Sequence, residues 1–80
     1  MTVPGVLEVT FQARATLDDV QIAIGLIGGK IIYCNIRKCF FMVGVEIGKE
    51  DEMIRLLRFH KESINLVSAN KKYLEETSTS

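Results

Sequence analysis

The sequence predicts a two-layer α+β domain with the element order β-α-β-β-α-β. Three observations carry this expectation. Apolar and polar residues alternate strictly from Leu7 to Ala13; two later stretches have helical spacing and open with acids; two strand-like runs lie between those stretches. With 80 residues, 48% of them apolar, the chain has length for one domain and enough apolar content to exclude disorder.

The first strand is expected over Val6–Ala13, with Leu7, Val9, Phe11 and Ala13 on one face and Glu8, Thr10 and Gln12 on the other. Thr16 followed by Asp18 and Asp19 then reads as a helix N-cap with acids in the first turn, where they complement free amides and the helix dipole. Val20, Ala23, Ile24 and Ile27 recur at helical spacing, Ile22 and Leu26 widen that stripe, and Gly28-Gly29 ends the helix. Gly25 lies inside it, where the absence of a side chain favours close helix–sheet packing. These glycines follow the helix start, so they do not form a phosphate loop.

Lys30–Ile36 and Cys39–Ile47 predict two strands joined at Arg37-Lys38. In that register Ile36 faces Cys39, Cys34 faces Phe41 and Ile32 faces Val43. One face then holds Ile32, Cys34, Ile36, Cys39, Phe41, Val43 and Val45 as core, and the other holds Ile31, Tyr33, Phe40 and Met42. Arg-Lys is poor chemistry for a two-residue turn, so a longer loop is an open alternative, and a one-residue slip exchanges the faces. Gly48 breaks the run, and Lys49-Glu50-Asp51-Glu52 opens a second helix with a stripe of Met53, Leu56, Leu57 and His60, flanked by Ile54 and Phe59. Ile64–Ala69 predicts the last strand. Residues 1–70 form the domain and 71–80 a polar tail, frayed or in a short turn. This order, with two right-handed split βαβ units, is the ferredoxin-like fold: a four-stranded antiparallel sheet with both helices on one face.

Ten basic residues balance ten acidic ones, which removes the broad attraction of a nucleic-acid or anionic-membrane binder but leaves room for a local patch. No run of about 18 apolar residues predicts a membrane span. Met1–Leu7 lacks a signal-peptide pattern, and two cysteines are too few for a disulfide scaffold, so a reduced, cytoplasmic setting is expected. Cys34 and Cys39 read as core thiols; they pair only if a four-residue loop sets them opposite each other, and they have no companions for a metal. His60, the single histidine, has Leu56 and Ile64 as its helical neighbours and no nucleophile or carboxylate beside it. The acid clusters are explained as caps. The sequence therefore argues against an enzyme, and neither cofactor nor metal is expected.

The informative feature is the apolar outer face of the hairpin. Ile31, Tyr33, Phe40 and Met42 on two adjacent strands make a patch suited to self-association or to a protein partner. The alternative is a stacking platform for single-stranded RNA, with Lys30, Arg37 and Lys38 at its rim. Lys38-Cys-Phe-Phe-Met-Val-Gly-Val45 resembles the aromatic strand-three motif of the RNA-recognition motif family, with Phe40 as a stacking residue and Met42 in place of the second aromatic.

A second resemblance concerns the ACT-like regulatory domains. The run from Thr16 to Ile32 is similar to their first helix and entry into strand two, and Val45–Leu57 is similar to their passage from strand three to helix two. The resemblance spans residues 6–69. It implies a βαββαβ regulatory module that pairs with itself and binds amino acids or similar ligands. A small anionic ligand is accordingly expected at the loop before the first helix, with Arg14 supplying charge and Thr16 and the amides after it as donors. The expectation is thus a small binding or regulatory module, a homo-oligomer acting through its sheet face or edge.

Overall fold

A computed structural model describes residues 1–74. The elements are β1 (Thr2–Phe11), α1 (Leu17–Ile27), β2 (Lys30–Asn35), β3 (Phe40–Gly44), α2 (Glu50–Phe59) and β4 (Leu66–Tyr73), with a single 3-10 turn, Ile36–Lys38, between β2 and β3. All pairings are antiparallel and the strand order is β2-β3-β1-β4. This is the ferredoxin-like arrangement that the element order predicts. Among the described residues no helix is long and apolar enough to cross a membrane.

Alternation in β1 builds the core. Leu7 and Val9 lie opposite Val43 and Phe41 of β3, while Val9 and Phe11 lie opposite Ala69 and Leu66 of β4. All seven are buried, in one cluster with Val20, Ala23 and Ile27 of α1 and Ile54 and Leu57 of α2. Both helices therefore cover the same face of the sheet. Phe11 and Phe41 meet edge to face, with centroids 5.6 Å apart, the geometry that ring quadrupoles favour.

Local signals set most of the boundaries. Thr16 and Asp19 form a reciprocal capping box at the start of α1, and Gly28, at φ 58°, ends it by donating its amide to the Gly25 carbonyl. Gly25 itself faces open space, so it does not bring helix and sheet together as expected. α2 is fastened by Glu50, whose carboxylate accepts from the amides of Gly5 at 2.6 Å and Gly48 at 2.9 Å. The Gly5 bond ties the start of β1 to the start of a helix 45 residues away.

Several expectations need correction. β1 starts at Thr2 and stops at Phe11, and β3 ends at Gly44, short of Ile47. β4 begins at Leu66 and runs to Tyr73, so residues 71–73 belong to the sheet and not to a frayed tail; the remainder of that tail, beyond Leu74, lies outside the described residues. Charge explains the extension. On the helix face Lys71 pairs with Asp51 at 2.9 Å, on the outer face Lys72 pairs with Glu8 at 3.5 Å, and Arg58 donates to the Ala69 carbonyl and the Asn70 side chain.

The hairpin is corrected too. Cys34 does oppose Phe41, but Ile36 and Cys39 form part of a four-residue connection between Asn35 and Phe40, with Cys39 left-handed at φ 53°. Past Tyr33, which opposes Met42, the register shifts at Ile32, so that Val43 faces Ile31 and not Ile32. The extra residue is a β-bulge. Ile32 consequently crosses to the outer face and lies over Gly44, its Cδ1 3.1 Å from where a Gly44 Cβ would stand. Ile32, Cys34 and Ile36, expected in the core, are exposed. Of the three only Cys34 stays on the helix side, and there the edge position of β2 leaves it uncovered.

Backbone donors lower the proton affinity of Glu50, the Gly5 amide most, so the folded carboxyl titrates below its ordinary value of 4.5. A depressed carboxyl stabilises fully above its unfolded pKa and loses that contribution as the pH falls through the folded one. Wild type should therefore be more stable than Glu50→Gln at neutral pH, and the gap should close as the pH drops below 4.5. Urea unfolding midpoints across a pH series check this.

Candidate functional site

The loop before α1 brings Arg14 and Thr16 together, and the Arg14 Nε and the Thr16 amide already have partners. The Thr16 amide donates to Asp19 Oδ2 at 3.0 Å, and the Asp19 amide donates to the Thr16 hydroxyl at 3.2 Å. Asn65 Nδ2 donates to the same Asp19 oxygen at 2.9 Å, and Arg14 Nε donates to Asn65 Oδ1 at 3.1 Å. The Asp19 carboxylate thus takes the N-cap amide of Thr16 and the Asn65 side chain, donors that an external anion would compete for. The bond from the Thr16 amide, followed by the one from Asn65, holds the Asp19 carboxyl below its ordinary range.

Asn65 is the residue here that the sequence reading passed over. It adopts φ 53°, and its carbonyl accepts from the Gln12 amide at 2.8 Å. Asparagine tolerates the left-handed region better than other side-chain-bearing residues, because its short amide bonds locally. Its place directly before the apolar run of β4 was the available signal.

The second candidate is the outer face of the hairpin. Tyr33 of β2 sits opposite Met42, and its ring packs at a steep angle against Phe40, centroids 6.3 Å apart. Phe40 and Met42 are half-buried, whereas Tyr33 and Ile32 are 49% and 57% exposed. The bulge makes Ile32 the fourth member of this patch. Ile31, expected there, shares the register position of buried Val43 and belongs to the helix side of the edge strand, where it remains 44% exposed. Among the described residues no helix covers the outer face; its other half, across β1 and β4, is polar, with Glu8, Thr10, Ser68 and Lys72.

The two free edges of the sheet differ. On β4, Lys71, Lys72 and the Arg58 contacts place charge along the strand, a common defence of an unpaired edge. β2 has one charge, Lys30, at its start, and is protected by its bulge. Between Asp19 and Glu46 there is no acidic residue, so Lys30, Arg37 and Lys38 give the hairpin a local charge of one sign, and none of the three has an ion-pair partner among the described residues.

Other candidates resolve into structure. His60 is half-buried at the end of α2, its ring edge-on to the exposed Phe59, and no carboxylate or thiol bonds to it among the described residues. Cys34 is an exposed free thiol on the edge strand and Cys39 a half-buried one in the turn. Among the described residues no three His, Cys, Asp or Glu side chains are placed to hold a metal ion.

Because Asp18 and Asp19 already complement the start of α1 and Asp19 takes the Thr16 amide, inorganic phosphate should leave the melting temperature unchanged beyond its general salt effect. Thr16→Ala should cost about 1 kcal/mol through the lost cap. Calorimetry with and without phosphate, on both proteins, measures the two effects together.

No family model, no curated protein and no solved structure matches this chain.

Proposed function

We propose that the protein is a non-enzymatic binding module that works through the outer face of the β2–β3 hairpin, with a second copy of itself as partner. One observation carries the reading: Ile32, Tyr33, Phe40 and Met42 form a contiguous apolar patch on a sheet face that no helix among the described residues covers. Burying such a patch against its own image releases water from both copies, at roughly 25 cal/mol per Å² of apolar surface. A zero net charge supports this choice of partner, since two copies approach without long-range repulsion. The face is favoured over the β2 edge because the bulge at Ile32 interrupts the regular backbone ladder that edge-to-edge pairing needs. Two free thiols support a reducing, cytoplasmic setting, and a regulatory use of the association belongs to the same proposal.

A second reading has its own observation. The Tyr33–Phe40 ring pair lies in a hairpin that also carries Lys30, Arg37 and Lys38, which have no acidic partners among the described residues, the combination of stacking surface and basic charge that single-stranded RNA uses. The readings separate by experiment. Light scattering across a hundredfold concentration range should show a dimer that Tyr33→Ala and Ile32→Lys convert to folded monomers. A monomer at every concentration, joined by salt-sensitive binding of a labelled oligonucleotide that Phe40→Ala abolishes, would replace self-association with the RNA reading.

A further inference from the structure

Three connections meet at one end of the molecule. Leu66, which follows the α2–β4 turn, lies opposite Phe11 at the end of β1. The Cys39 carbonyl of the β2–β3 turn accepts from the Phe11 amide at 2.9 Å, and the loop into α1 follows Phe11 directly. Each connection carries or borders an apolar side chain left in water. Phe59 at the end of α2 is 82% exposed, Leu17 at the start of α1 70%, and Ile36 in the hairpin turn 64%. The same end gathers charge of one sign. Arg14, Arg37, Lys38 and Lys61 lie on the connections and Arg55 and Arg58 in the last two turns of α2, six of the ten cations. Only three of the ten acids, Asp18, Asp19 and Glu62, lie there with them. None of the six cations is in an ion pair among the described residues.

We propose that this end docks peripherally on an anionic lipid surface, with Leu17, Ile36 and Phe59 entering the headgroup boundary and the basic side chains resting among the headgroups. Apolar side chains flanked by arginine and lysine suit that boundary: the apolar groups leave water, while long cationic stems keep their charge in it. The zero net charge of the chain conceals the patch, because acids gather at the opposite end. Charge therefore fixes the orientation as well. Tyr73, paired with Thr2, and Ile47, beside Gly5, are exposed at that opposite end, but they stand with Glu46, Asp51 and Glu52, which an anionic surface repels. Nucleic acid fits the basic end less well, since Leu17 and Ile36 are aliphatic and offer no stacking face.

Sedimentation of the full chain with lipid vesicles tests this. Vesicles of phosphatidylcholine and phosphatidylserine in equal parts should carry the protein down, and vesicles of phosphatidylcholine alone should not. Each cation near an anionic surface strengthens binding about fivefold, so the Arg37→Gln/Lys61→Gln protein should bind roughly 25-fold more weakly. The Ile36→Ser/Phe59→Ser protein should bind at least about tenfold more weakly through lost apolar burial. Both variants change exposed positions and are checked for folding by circular dichroism. No sedimentation with the anionic vesicles overturns the proposal, as does wild-type binding by either folded variant. Salt-sensitive binding of a labelled oligonucleotide, lost in Arg37→Gln/Lys61→Gln and found without any binding to vesicles, also overturns it and assigns this end to nucleic acid. Light scattering without vesicles reads self-association through the outer face separately.

Discussion

Burial of alternate β1 side chains sets the parity of the whole sheet. With Leu7, Val9 and Phe11 committed to the helix side, hydrogen-bonded register forces Phe41 and Val43 of β3 and Leu66 and Ala69 of β4 to the same side. Phe40 and Met42 are thereby sent outward. Two bulges adjust this parity: in β4 the extra residue Val67 lets Leu66 and Ala69 share the buried side, and in β2 the extra residue enlarges the outer patch, since Ile32 and Tyr33 both reach it while Ile31 turns away. Gly44 makes room, since any side chain there would stand in the path of Ile32. The apolar outer patch is thus a consequence of core packing two strands away.

The acidic helix starts do more than complement dipoles. Asp19 and Glu50 each bond to a segment remote in sequence: Asp19 to Asn65, Glu50 to Gly5. Each carboxylate therefore holds a loop or strand end against a helix, and each closes a site that would otherwise offer free amides. The loop before α1 is an example of a pattern with two outcomes. Cap residues and a nearby arginine suit an anion, but an internal carboxylate at the third helical position takes the Thr16 amide and the Asn65 side chain, which bonds the arginine in turn.

Much of the fold was legible because its signals are local. Alternation in β1, the capping box at Thr16, the stop at Gly28 and the acids before α2 each act within a few residues. The hairpin was legible only in part. Cys34 was correctly set against Phe41, since that pairing depends on the nearby turn, whereas the shift at Ile32 depends on the absent Cβ of Gly44 across the ladder. Of the outer patch, Tyr33, Phe40 and Met42 were found and Ile31 stood in for Ile32. Asn65 was missed because its role joins Arg14 and Asp19, contacts that exist only after the chain has folded back. The lysines of β4 read as a polar tail, and only their carboxylate partners on α2 and β1 make them strand residues.

The central claim is that the outer face of the hairpin is where this protein meets its partner. Amide hydrogen exchange, compared between dilute and concentrated solutions and read by mass spectrometry, tests it most directly. The account predicts concentration-dependent protection in the β2 and β3 peptides, residues 30–44, and none in α1, residues 17–27. Protection confined to α1 or to β4, with the hairpin indifferent to concentration, would contradict it.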